Sequence, residues 1–461
     1  MNKIYIFFIL LVGCYVVITS GSGCAQIGVP TGGTKDTIPP LLVKSSPAMK
    51  STNVSDKTIT LTFDEYIDMQ ELSTNILISP VQKANPSISF NRRTVTIKIK
   101  DTLQPNTTYS INFGNAIRDI NESNILPGFT YIFSTGNTID SLTLSGKALL
   151  AETGLTDSTL FAMLYRDAAD SAVQKRKPDY ITKLKGDGSF LFENLPPGNF
   201  KLYALKDGDG GKTYNSKTEL FAFADTSITL PLDLPAPVLY AYEEQKPIPA
   251  RAPVLKPVKE KRLRYTTNLA SQSQDLLLPL ELSFNNSLKV FEMQKIILSD
   301  TNYTRSFPAI VTVDSTRKKI IIQNSWSAGN AYALILPMEL LTDTAGNTLP
   351  KTDTLRFTAK NNSDYGNLLL RFKNADFDKH PVLQFTDGTT IKFSYPLLTA
   401  EWSNKLIPPG DYELRILFDD NNNGKWDPGN YSKKLQPEKA ITLPQKISVR
   451  ADWDNERDIV L

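Results

Sequence analysis

The feature that most constrains the fold of this chain is an internal repeat. Residues 195–214 and 407–426 align without gaps at an offset of 212, with six identical positions in 20. Each copy begins with a Pro-Pro-Gly turn, continues as a run alternating apolar and polar residues, and ends in an acidic loop rich in Gly or Asn. Because alternation with a period of two places successive side chains on opposite faces of a sheet, each copy predicts a half-buried strand between two turns.

A second repeat lies upstream of each copy. Three segments of the first half recur in the second: 59–67 as 280–288, 107–124 as 330–347, and 130–136 as 354–360. The offset stays between 221 and 224 across all three. The chain is therefore built from two kinds of unit in the order A–B–A′–B′.

Strand signals dominate all four units. Aromatic residues make up 10% of the chain, a composition that favours strands. Turn-forming clusters recur about every 8–12 residues, which is the strand spacing of β-sandwiches. The sequence predicts an all-β chain of tandem sandwiches, arranged in series as a rod. The predicted units are 39–136, 141–234, 262–361 and 362–461, with a Pro-rich linker at 235–261 in which residues 238–244 also fit an edge strand.

The N-terminal segment has the layout of an export signal. Lys3 precedes an apolar run that ends near Ile18, and four small residues follow before Cys24. The run is shorter than the roughly 20 residues of a membrane-spanning helix, although a signal-anchor is the alternative interpretation. We expect residues 1–23 to be a lipoprotein signal peptide and residues 24–38 to be a flexible tether.

Cysteine usage supports a lipid on Cys24. Of the two cysteines, Cys14 lies inside the apolar run that signal cleavage would remove. The mature chain would keep only Cys24, at its first position, so no disulfide could form within it. Small residues directly before a cysteine resemble the lipobox of bacterial lipoproteins, although Gly21 stands where that motif usually has Leu. The expected partner is a membrane, reached through the lipid.

Charge and histidine content argue against several functional classes. The chain has 51 basic and 48 acidic residues, and a net charge of +3 is too balanced to predict binding to nucleic acid. The single histidine, His380, would have to serve any Ser-His-Asp triad or His-ligated zinc site. It lies beside Pro381 with no nucleophile motif nearby, so we interpret it as a loop or strand-edge residue.

The A units resemble the SbsA-type bacterial Ig-like domain of S-layer and Bacteroidota surface proteins. The residues that carry the likeness are Phe63, Tyr109, Asp119 and Phe133, and again Phe284, Tyr332, Asp343, Gly346, Asn347 and Phe357. The B units look like prealbumin-like or carboxypeptidase-regulatory-like sandwiches, on the strength of residues 186–207. The whole chain is also similar to a family of Bacteroidota lipoproteins, which implies an outer-membrane location and brings no catalytic residues.

The segment 419–430 is a candidate calcium loop. A calcium loop of the EF-hand type places oxygen ligands at positions 1, 3, 5, 7, 9 and 12 and a glycine at position 6. Counted from Asp419, the glycine is Gly424, and position 12 is Asn430 rather than the usual bidentate glutamate. The predicted ligands are Asp419, Asn421, Asn423, the carbonyl of Lys425, and Asp427. The competing interpretation is a tight hairpin in which Asn and Asp supply turn conformations and side-chain caps.

The first copy of this loop is degenerate. Its aligned positions are Asp207, Asp209, Gly211 and Lys212, so it lacks one oxygen ligand and the glycine. We expect it to bind calcium poorly if at all. No other cofactor is predicted.

The sequence is consistent with three functions. The first is a non-enzymatic envelope protein that acts as a structural spacer or as an adhesion or binding module, through loops or exposed strand edges. Its partner would be an envelope protein or a glycan. The alternative is a carbohydrate-binding or hydrolase-accessory surface protein, because three of four tryptophans fall in or beside the last unit: Trp402, Trp426 and Trp453. Buried core tryptophans are the competing explanation.

A hydrolase is the least favoured of the three. Carboxylate pairs such as Asp64–Glu65 and Asp207–Asp209 could be assigned to acid–base work. Both pairs fall where surface turns are expected, and adjacent strand residues face opposite sides of a sheet. The sequence therefore predicts no catalytic residue.

Overall fold

The computed structural model describes residues 5, 8–13, 35–232, 235–246 and 262–461. The predicted cleavage point, Cys24, most of the tether and residues 247–261 of the linker lie outside this part of the chain. Within it, no helix is both long and apolar enough to cross a membrane. Contacts divide the chain into two compact units, Met1–Ile139 and Asp140–Leu461. Both are built from mainly antiparallel sheets with few helical turns, so the prediction of an all-β chain of tandem sandwiches is confirmed.

Residues 36–136 of the first unit form one sandwich of nine strands, with one helical turn at Leu72–Asn75. The strands are β1 Leu42–Ser46, β2 Thr58–Phe63, β3 Ile67–Met69, β4 Leu77–Ser79, β5 Ser87–Asn91, β6 Thr94–Lys98, β7 Thr108–Asn112, β8 Ile117–Asp119 and β9 Thr130–Ser134. One sheet has the order β1-β2-β6-β5, the other β4-β7-β9, and β3 pairs with β8. Alternate residues of β2 and β6 are buried, as the period-two pattern requires.

The residues that carry the Ig-like resemblance form the centre of this sandwich. Phe63, Tyr109 and Phe133 are at most 1% exposed, and the rings of Tyr109 and Phe133 stack with centroids 5.0 Å apart. The Tyr109 hydroxyl accepts a hydrogen bond from the backbone N–H of Gln104, 2.8 Å away. This bond ties the loop before β7 to the core, as a tyrosine corner does in Ig-like folds.

The second sandwich begins the larger unit and has eight strands with one helical turn, Ala172–Lys175. The strands are β10 Leu142–Leu150, β11 Phe161–Arg166, β12 Tyr180–Lys183, β13 Ser189–Leu195, β14 Gly198–Leu205, β15 Phe221–Phe223, β16 Ile228–Leu230 and β17 Val238–Ala241. One sheet runs β13-β10-β17, the other β12-β11-β14-β15, with β16 also pairing β14.

Strand β17 corrects the predicted linker. Residues 238–241 pair in parallel with β10, and Leu239, Ala241 and Tyr242 are each 1% exposed. The Pro-rich flanks suggested an extended tether, but the apolar residues between them complete the core of the second sandwich. The alternative interpretation, an edge strand at 238–244, agrees with the structure.

The third sandwich repeats the layout of the first. Its strands are β18 Tyr265–Thr267, β19 Ser273–Gln274, β20 Leu280–Phe284, β21 Leu288–Phe291, β22 Ile297–Ser299, β23 Ile310–Val313, β24 Lys319–Gln323, β25 Ala331–Leu336, β26 Leu341–Asp343 and β27 Asp353–Ala359. The sheets are β18-β20-β24-β23, β19-β27-β25-β22 and β21-β26. Tyr332 stacks on Phe357, and its hydroxyl accepts from the N–H of Ser327, five residues upstream, as Tyr109 does from Gln104.

The fourth sandwich repeats the layout of the second. Its strands are β28 Gly366–Lys373, β29 Pro381–Asp387, β30 Thr390–Pro396, β31 Glu401–Ile407, β32 Gly410–Phe418, β33 Lys439–Val449 and β34 Asp454–Val460. The sheets are β31-β28-β34 and β30-β29-β32-β33. In both sandwiches the last strand joins the first in parallel, β34 to β28 here and β17 to β10 in the second. The repeat thus includes the strand that closes each sandwich.

The second and fourth sandwiches pack directly on each other. The N–H of Ala440 on β33 donates to the carbonyl of Ala151, and the hydroxyl of Thr442 donates to the carbonyl of Thr153. A Cβ added to Gly154 would lie 2.5 Å from the Ala440 carbonyl oxygen. The prediction of sandwiches in series as a rod is therefore wrong for residues 140–461, because surfaces of B and B′ that pattern analysis treats as solvated are buried against each other.

Candidate functional site

The loop between β32 and β33, residues 419–438, contains the predicted calcium ligands. Pairing of the two strands reaches Phe418 and Lys439, so the next residues, Asp419 and Glu438, face each other at the mouth of the loop. Asp419 is fully buried. Its carboxylate accepts the backbone N–H groups of Asn423, at 3.1 Å, and Gly424, at 2.6 Å. These bonds fold the loop back over the carboxylate.

The other predicted ligands gather around Asp427. The side-chain amides of Asn421 and Asn423 both donate to the same oxygen, Oδ2 of Asp427, the second over 2.6 Å. The carbonyl oxygens of the two amides accept backbone N–H groups within the loop, from Asn423 and from Lys425. Gly424 has a φ of +78°, so the sharp turn at this position suits a residue without a Cβ. The structure therefore brings the predicted residues into one loop.

Asn430 occupies the position that usually holds the glutamate of a calcium loop, but its side chain contacts the following turn instead. Its side chain accepts the N–H of Lys433 and caps the single turn Tyr431–Lys433. Its carboxamide is therefore occupied by the backbone of the next turn.

Glu438 is a functional candidate that the sequence analysis missed. It is 5% exposed, and its Oε2 accepts the N–H of Asp427 over 2.9 Å. Its other oxygen, Oε1, is buried and has no hydrogen-bond partner among the residues that the structure describes. Burial raises the pKa of Glu438, and the nearby carboxylates of Asp419 and Asp427 add to the effect, while hydrogen bonds from the backbone N–H groups of Asp427 and Asn421 act against it. A count along a contiguous 12-residue loop cannot find Glu438, because strand pairing rather than sequence spacing brings it to the site.

The loop concentrates negative charge without a cation. In the described part of the chain, none of Asp419, Asp427 and Glu438 forms an ion pair. An uncompensated carboxylate in a poorly hydrated position is costly, so the site favours a cation or a proton. Among the residues described, no three His, Cys, Asp or Glu side chains are already arranged to hold a metal ion. A metal here would therefore need the amide and carbonyl oxygens as well.

The equivalent loop of the second sandwich has the same outline with different chemistry. Lys212 donates its N–H to Asp207, and Gly211 donates to Asp209. Burial and the neighbouring Asp209 raise the pKa of Asp207. By strand register, Glu219 takes the place of Glu438, and one of its oxygens accepts two backbone N–H groups, those of Asn215 and Ser216. The carboxylates of Asp207 and Asp209 therefore bind the backbone of their own loop.

The far end of loop 419–438 docks on the second sandwich through Tyr431. Its ring is 4% exposed and lies among aromatic rings of that sandwich, with centroids 5.1 Å from Phe221 and 5.2 Å from Phe223. Its hydroxyl donates to the Asp170 carbonyl over 2.6 Å, and its backbone N–H donates to Glu244 over 3.0 Å. We call residues 426–438 the docking arm.

Two further side chains of the docking arm bind the same surface. Lys434 forms an ion pair with Asp170 over 3.1 Å and lies over the ring of Tyr431 at 4.1 Å. Gln436 donates its amide to the carbonyl of Phe223 and to the carboxylate of Asp225. A cavity of about 480 Å³ opens beside this contact, lined in part by Phe223, Tyr240, Gln436 and Lys439.

The tryptophans do not form the aromatic platform that sugar-binding sandwiches expose. Trp326 is 8% exposed and donates to the Leu278 carbonyl in the third sandwich. Trp402 packs on Phe385 inside the fourth sandwich. Trp426 is half-buried at the base of the docking arm, where it donates to the Glu438 carbonyl. Only Trp453, at 57%, is largely exposed among these four.

The residues considered for catalysis lie in turns or contact the backbone. His380 is exposed at the end of the turn Phe377–Lys379, with a φ of +43°. Asp64 accepts the backbone N–H of Leu41 over 2.7 Å. Burial raises the pKa of its neighbour Glu65, and the charge of Asp119 adds to the effect. The described residues thus place His380 at a turn and Asp64 in a backbone contact.

Residues 36–135 match the family model of the bacterial Ig-like domain. This range covers the first sandwich. The third sandwich shares its sheet order and its tyrosine-to-backbone bond, so the Ig-like layout occurs twice. No curated protein matches the sequence.

Solved structures show only distant likeness. The N-terminal part of the bacterial S-layer protein SbsC is 13% identical with a TM-score of 0.16, over 44% of each chain. The major pilin subunit BcpA of Bacillus cereus is 10% identical with a TM-score of 0.17, over 70% of this chain and 99% of the pilin. An L,D-transpeptidase from Mycobacterium smegmatis is 12% identical with a TM-score of 0.17, over 44% of this chain and 80% of the enzyme. These values are too low to imply a shared function.

Proposed function

We propose that this protein is a non-enzymatic lipoprotein of the cell envelope, a structural spacer or an adhesion or binding module. The observation that carries the proposal is the bacterial Ig-like domain at residues 36–135, repeated in layout by the third sandwich. Function resides in sites rather than in folds, so this support is strongest for a structural or binding role. Membership of a Bacteroidota lipoprotein family and an outer-membrane location belong to the same proposal.

The N-terminal sequence supports lipid attachment at Cys24. A short apolar run, four small residues and then a lone cysteine give the order of features in a lipoprotein signal. One acyl chain binds membranes weakly, whereas two or more chains on one residue would hold the protein at the membrane surface. The partner would be an envelope protein, or a glycan, met by loops or strand edges of the sandwiches.

Fatty-acid labelling of cells that express the chain tests this proposal. The wild-type protein should take up label and fractionate with membranes, and Cys24→Ser should remove the label and either release the protein or leave an uncleaved precursor. Cys14→Ser is the matched control, because Cys14 would be removed with the signal and its loss should change neither result. Label that persists in Cys24→Ser would overturn the proposal.

Glycan binding is the second candidate, and a single observation favours it. Trp453 is 57% exposed, and the guanidinium of Arg450 lies 5.2 Å from its ring centre. An array of glycans probed with the purified chain tests whether this exposed ring binds sugar. Binding that Trp453→Ala abolishes would support the glycan-binding function, whereas no binding to any glycan would leave the spacer or protein-binding role.

A further inference from the structure

We propose that loop 419–438 is a calcium site in which Glu438 replaces the missing glutamate of a contiguous calcium loop, and that calcium fixes the docking arm on the second sandwich. The proposal does not depend on lipid attachment or on the partner of the protein. It rests on the loop chemistry described above and on the unpartnered oxygen of Glu438.

The ligand set suits calcium in number and kind. Calcium takes six to eight oxygen ligands, with carboxylates, amide oxygens and backbone carbonyls all used in loops of this type. Asp419, Asn421, Asn423, the Lys425 carbonyl and Asp427 supply the first five positions. Glu438 would add a third carboxylate with two oxygens, giving seven ligand atoms. Magnesium is disfavoured because it demands near-octahedral geometry and retains several waters.

The burial of Glu438 distinguishes this loop from an ordinary hairpin. Asparagine and aspartate alone would explain a tight turn, but a turn gives no reason to bury a glutamate with an unpartnered oxygen. The residue is 5% exposed, and its Oε2 accepts the backbone N–H of Asp427, so its carboxylate lies beside the backbone of one candidate ligand. A divalent cation would give Oε1 a partner and offset the charge of all three carboxylates.

Calcium binding requires a small rearrangement within the loop. Both amide nitrogens of Asn421 and Asn423 now donate to Asp427, and so occupy the place that an ion would take. A half-turn of each amide about its last side-chain bond replaces the nitrogen by the carbonyl oxygen. The backbone N–H groups of Asn423 and Lys425 then lose the acceptors that these oxygens now provide, a cost that binding of the ion must offset. The carboxylates of Asp419, Asp427 and Glu438 are then drawn toward one point. Calcium should therefore tighten the loop.

The loop is coupled to the docking arm through its backbone. Trp426 and Asp427 are the first residues of the arm, and they bind Glu438 through the indole N–H and the backbone N–H respectively. Gly429 follows, where an added Cβ would lie 2.6 Å from the ring of Tyr242. Tyr431 then enters the aromatic pocket. Fixing Asp427 and Glu438 on one ion closes both ends of the arm.

Calorimetric titration of the full chain with calcium chloride, after treatment with chelator, tests the proposal. We expect one calcium per chain with a dissociation constant of roughly 10⁻⁴–10⁻³ M, the range of extracellular modules, and much weaker binding of magnesium. Glu438→Gln should weaken calcium binding at least by the roughly tenfold that loss of an outer-shell partner typically costs. The matched control is Glu219→Gln, the equivalent position in the second sandwich, which should leave the affinity unchanged.

Hydrogen exchange of residues 426–438 gives the second readout. Calcium should slow exchange in the docking arm of the wild type and have little effect there in Glu438→Gln. If that variant does not fold, Asp427→Asn, at a half-buried position, serves in its place. The proposal is overturned if millimolar calcium does not bind, or if Glu219→Gln weakens binding as much as Glu438→Gln. It is also overturned if calcium binds without protecting the arm.

Discussion

The hydroxyl of Tyr431 lies 3.0 Å from the hydroxyl of Tyr203, although 228 residues separate them in the sequence. Because Tyr431 donates its one proton to the Asp170 carbonyl, Tyr203 is the donor between the two phenols. Burial raises the pKa of Tyr431, and the contact with Tyr203 raises it further, so the phenol stays neutral at physiological pH. This pair links the two B-type sandwiches of one chain.

Two substitutions of Tyr431 should distinguish the stability that its packing contributes from the stability that its hydrogen bonds contribute. Tyr431→Ala should lower the free energy of unfolding by about 3–5 kcal/mol, as for other large buried rings. Tyr431→Phe keeps the ring and should cost about 1–3 kcal/mol, because the Tyr203 hydroxyl and the Asp170 carbonyl lose their partner. Urea unfolding of both variants measures the difference. Tyr66→Phe, at a 49% exposed position, is the control and should stay within about 0.5 kcal/mol of wild type.

A methyl group at Gly429 should loosen the docking arm. The added Cβ would lie 2.6 Å from the ring of Tyr242 and 2.8 Å from the carbonyl oxygen of Leu435, both too close for real contacts. Gly429→Ala should therefore cost about 1–3 kcal/mol, the usual effect of overpacking. It should also speed proteolysis within residues 426–438. Gly186→Ala is the control, because nothing lies within 4 Å of its added Cβ. Equal behaviour of the two variants would contradict the packing described for Gly429.

Acid should destabilise the third sandwich through Asp343, which is 2% exposed. Burial alone would raise the pKa of Asp343, but hydrogen bonds from Asn286 and Asn347 outweigh it and hold the pKa below its ordinary value. The unfolded value is about 3.9. The ionised carboxylate therefore adds stability that is fully present above that value and is lost as the pH falls through the lower folded value.

The variant Asp343→Asn tests this dependence. At pH 7 it should cost about 1–3 kcal/mol, because its new N–H group faces the amide donors of Asn286 and Asn347. The difference from wild type should shrink in acid as the native carboxylate is protonated. Urea unfolding at pH 7 and at about pH 3 gives both values. The exposed Asp56, changed to Asn, is the control; a constant difference for Asp343→Asn at the two pH values would disprove the assignment.

The ion pair between Lys434 and Asp170 should contribute little compared with Tyr431. The two side chains are 46% and 48% exposed, and ion pairs in such positions are worth at most about 1 kcal/mol. Lys434→Met keeps the aliphatic stem over the ring of Tyr431 and removes the charge. It should cost about 1 kcal/mol or less, and the cost should fall with added salt. A loss as large as that of Tyr431→Ala would show that the charge, rather than the aromatic ring, holds the arm.

The buried residues of each sandwich core can be predicted from the sequence, because neighbouring residues in each strand carry the pattern. Alternation along β2 and β6 identifies buried residues directly, and the repeat carries the same pattern into β20 and β24 of the second half. Phe63, Tyr109 and Phe133 are predicted as a group by the resemblance to the bacterial Ig-like domain. Strand β17 was assigned chiefly to a linker, since four apolar or aromatic residues between prolines do not differ locally from a tether.

The contact between B and B′ and the role of Glu438 depend on distant parts of the chain. Tyr431 follows an Asn- and Gly-rich loop, where an aromatic residue has no neighbours in sequence that indicate a pocket. Glu438 is 19 residues from Asp419 and meets it only because β32 pairs with β33. A search for hairpin partners of Asp419, rather than for a fixed loop length, would have identified Glu438.

During synthesis of the chain, all the aromatic residues that line the pocket for Tyr431 are made before Tyr431 itself. The last of them, Phe223, is synthesised 208 residues earlier. At roughly 5–20 residues per second, the nascent second sandwich therefore presents an open aromatic pocket for on the order of 10–40 s. During that interval another chain whose arm has not yet docked can insert it into the pocket, and reciprocal insertion gives an arm-exchanged dimer. The fraction of such dimers should rise with the concentration of newly made chains and fall with faster elongation, so the contact that closes the mature protein also offers a route to misassembly.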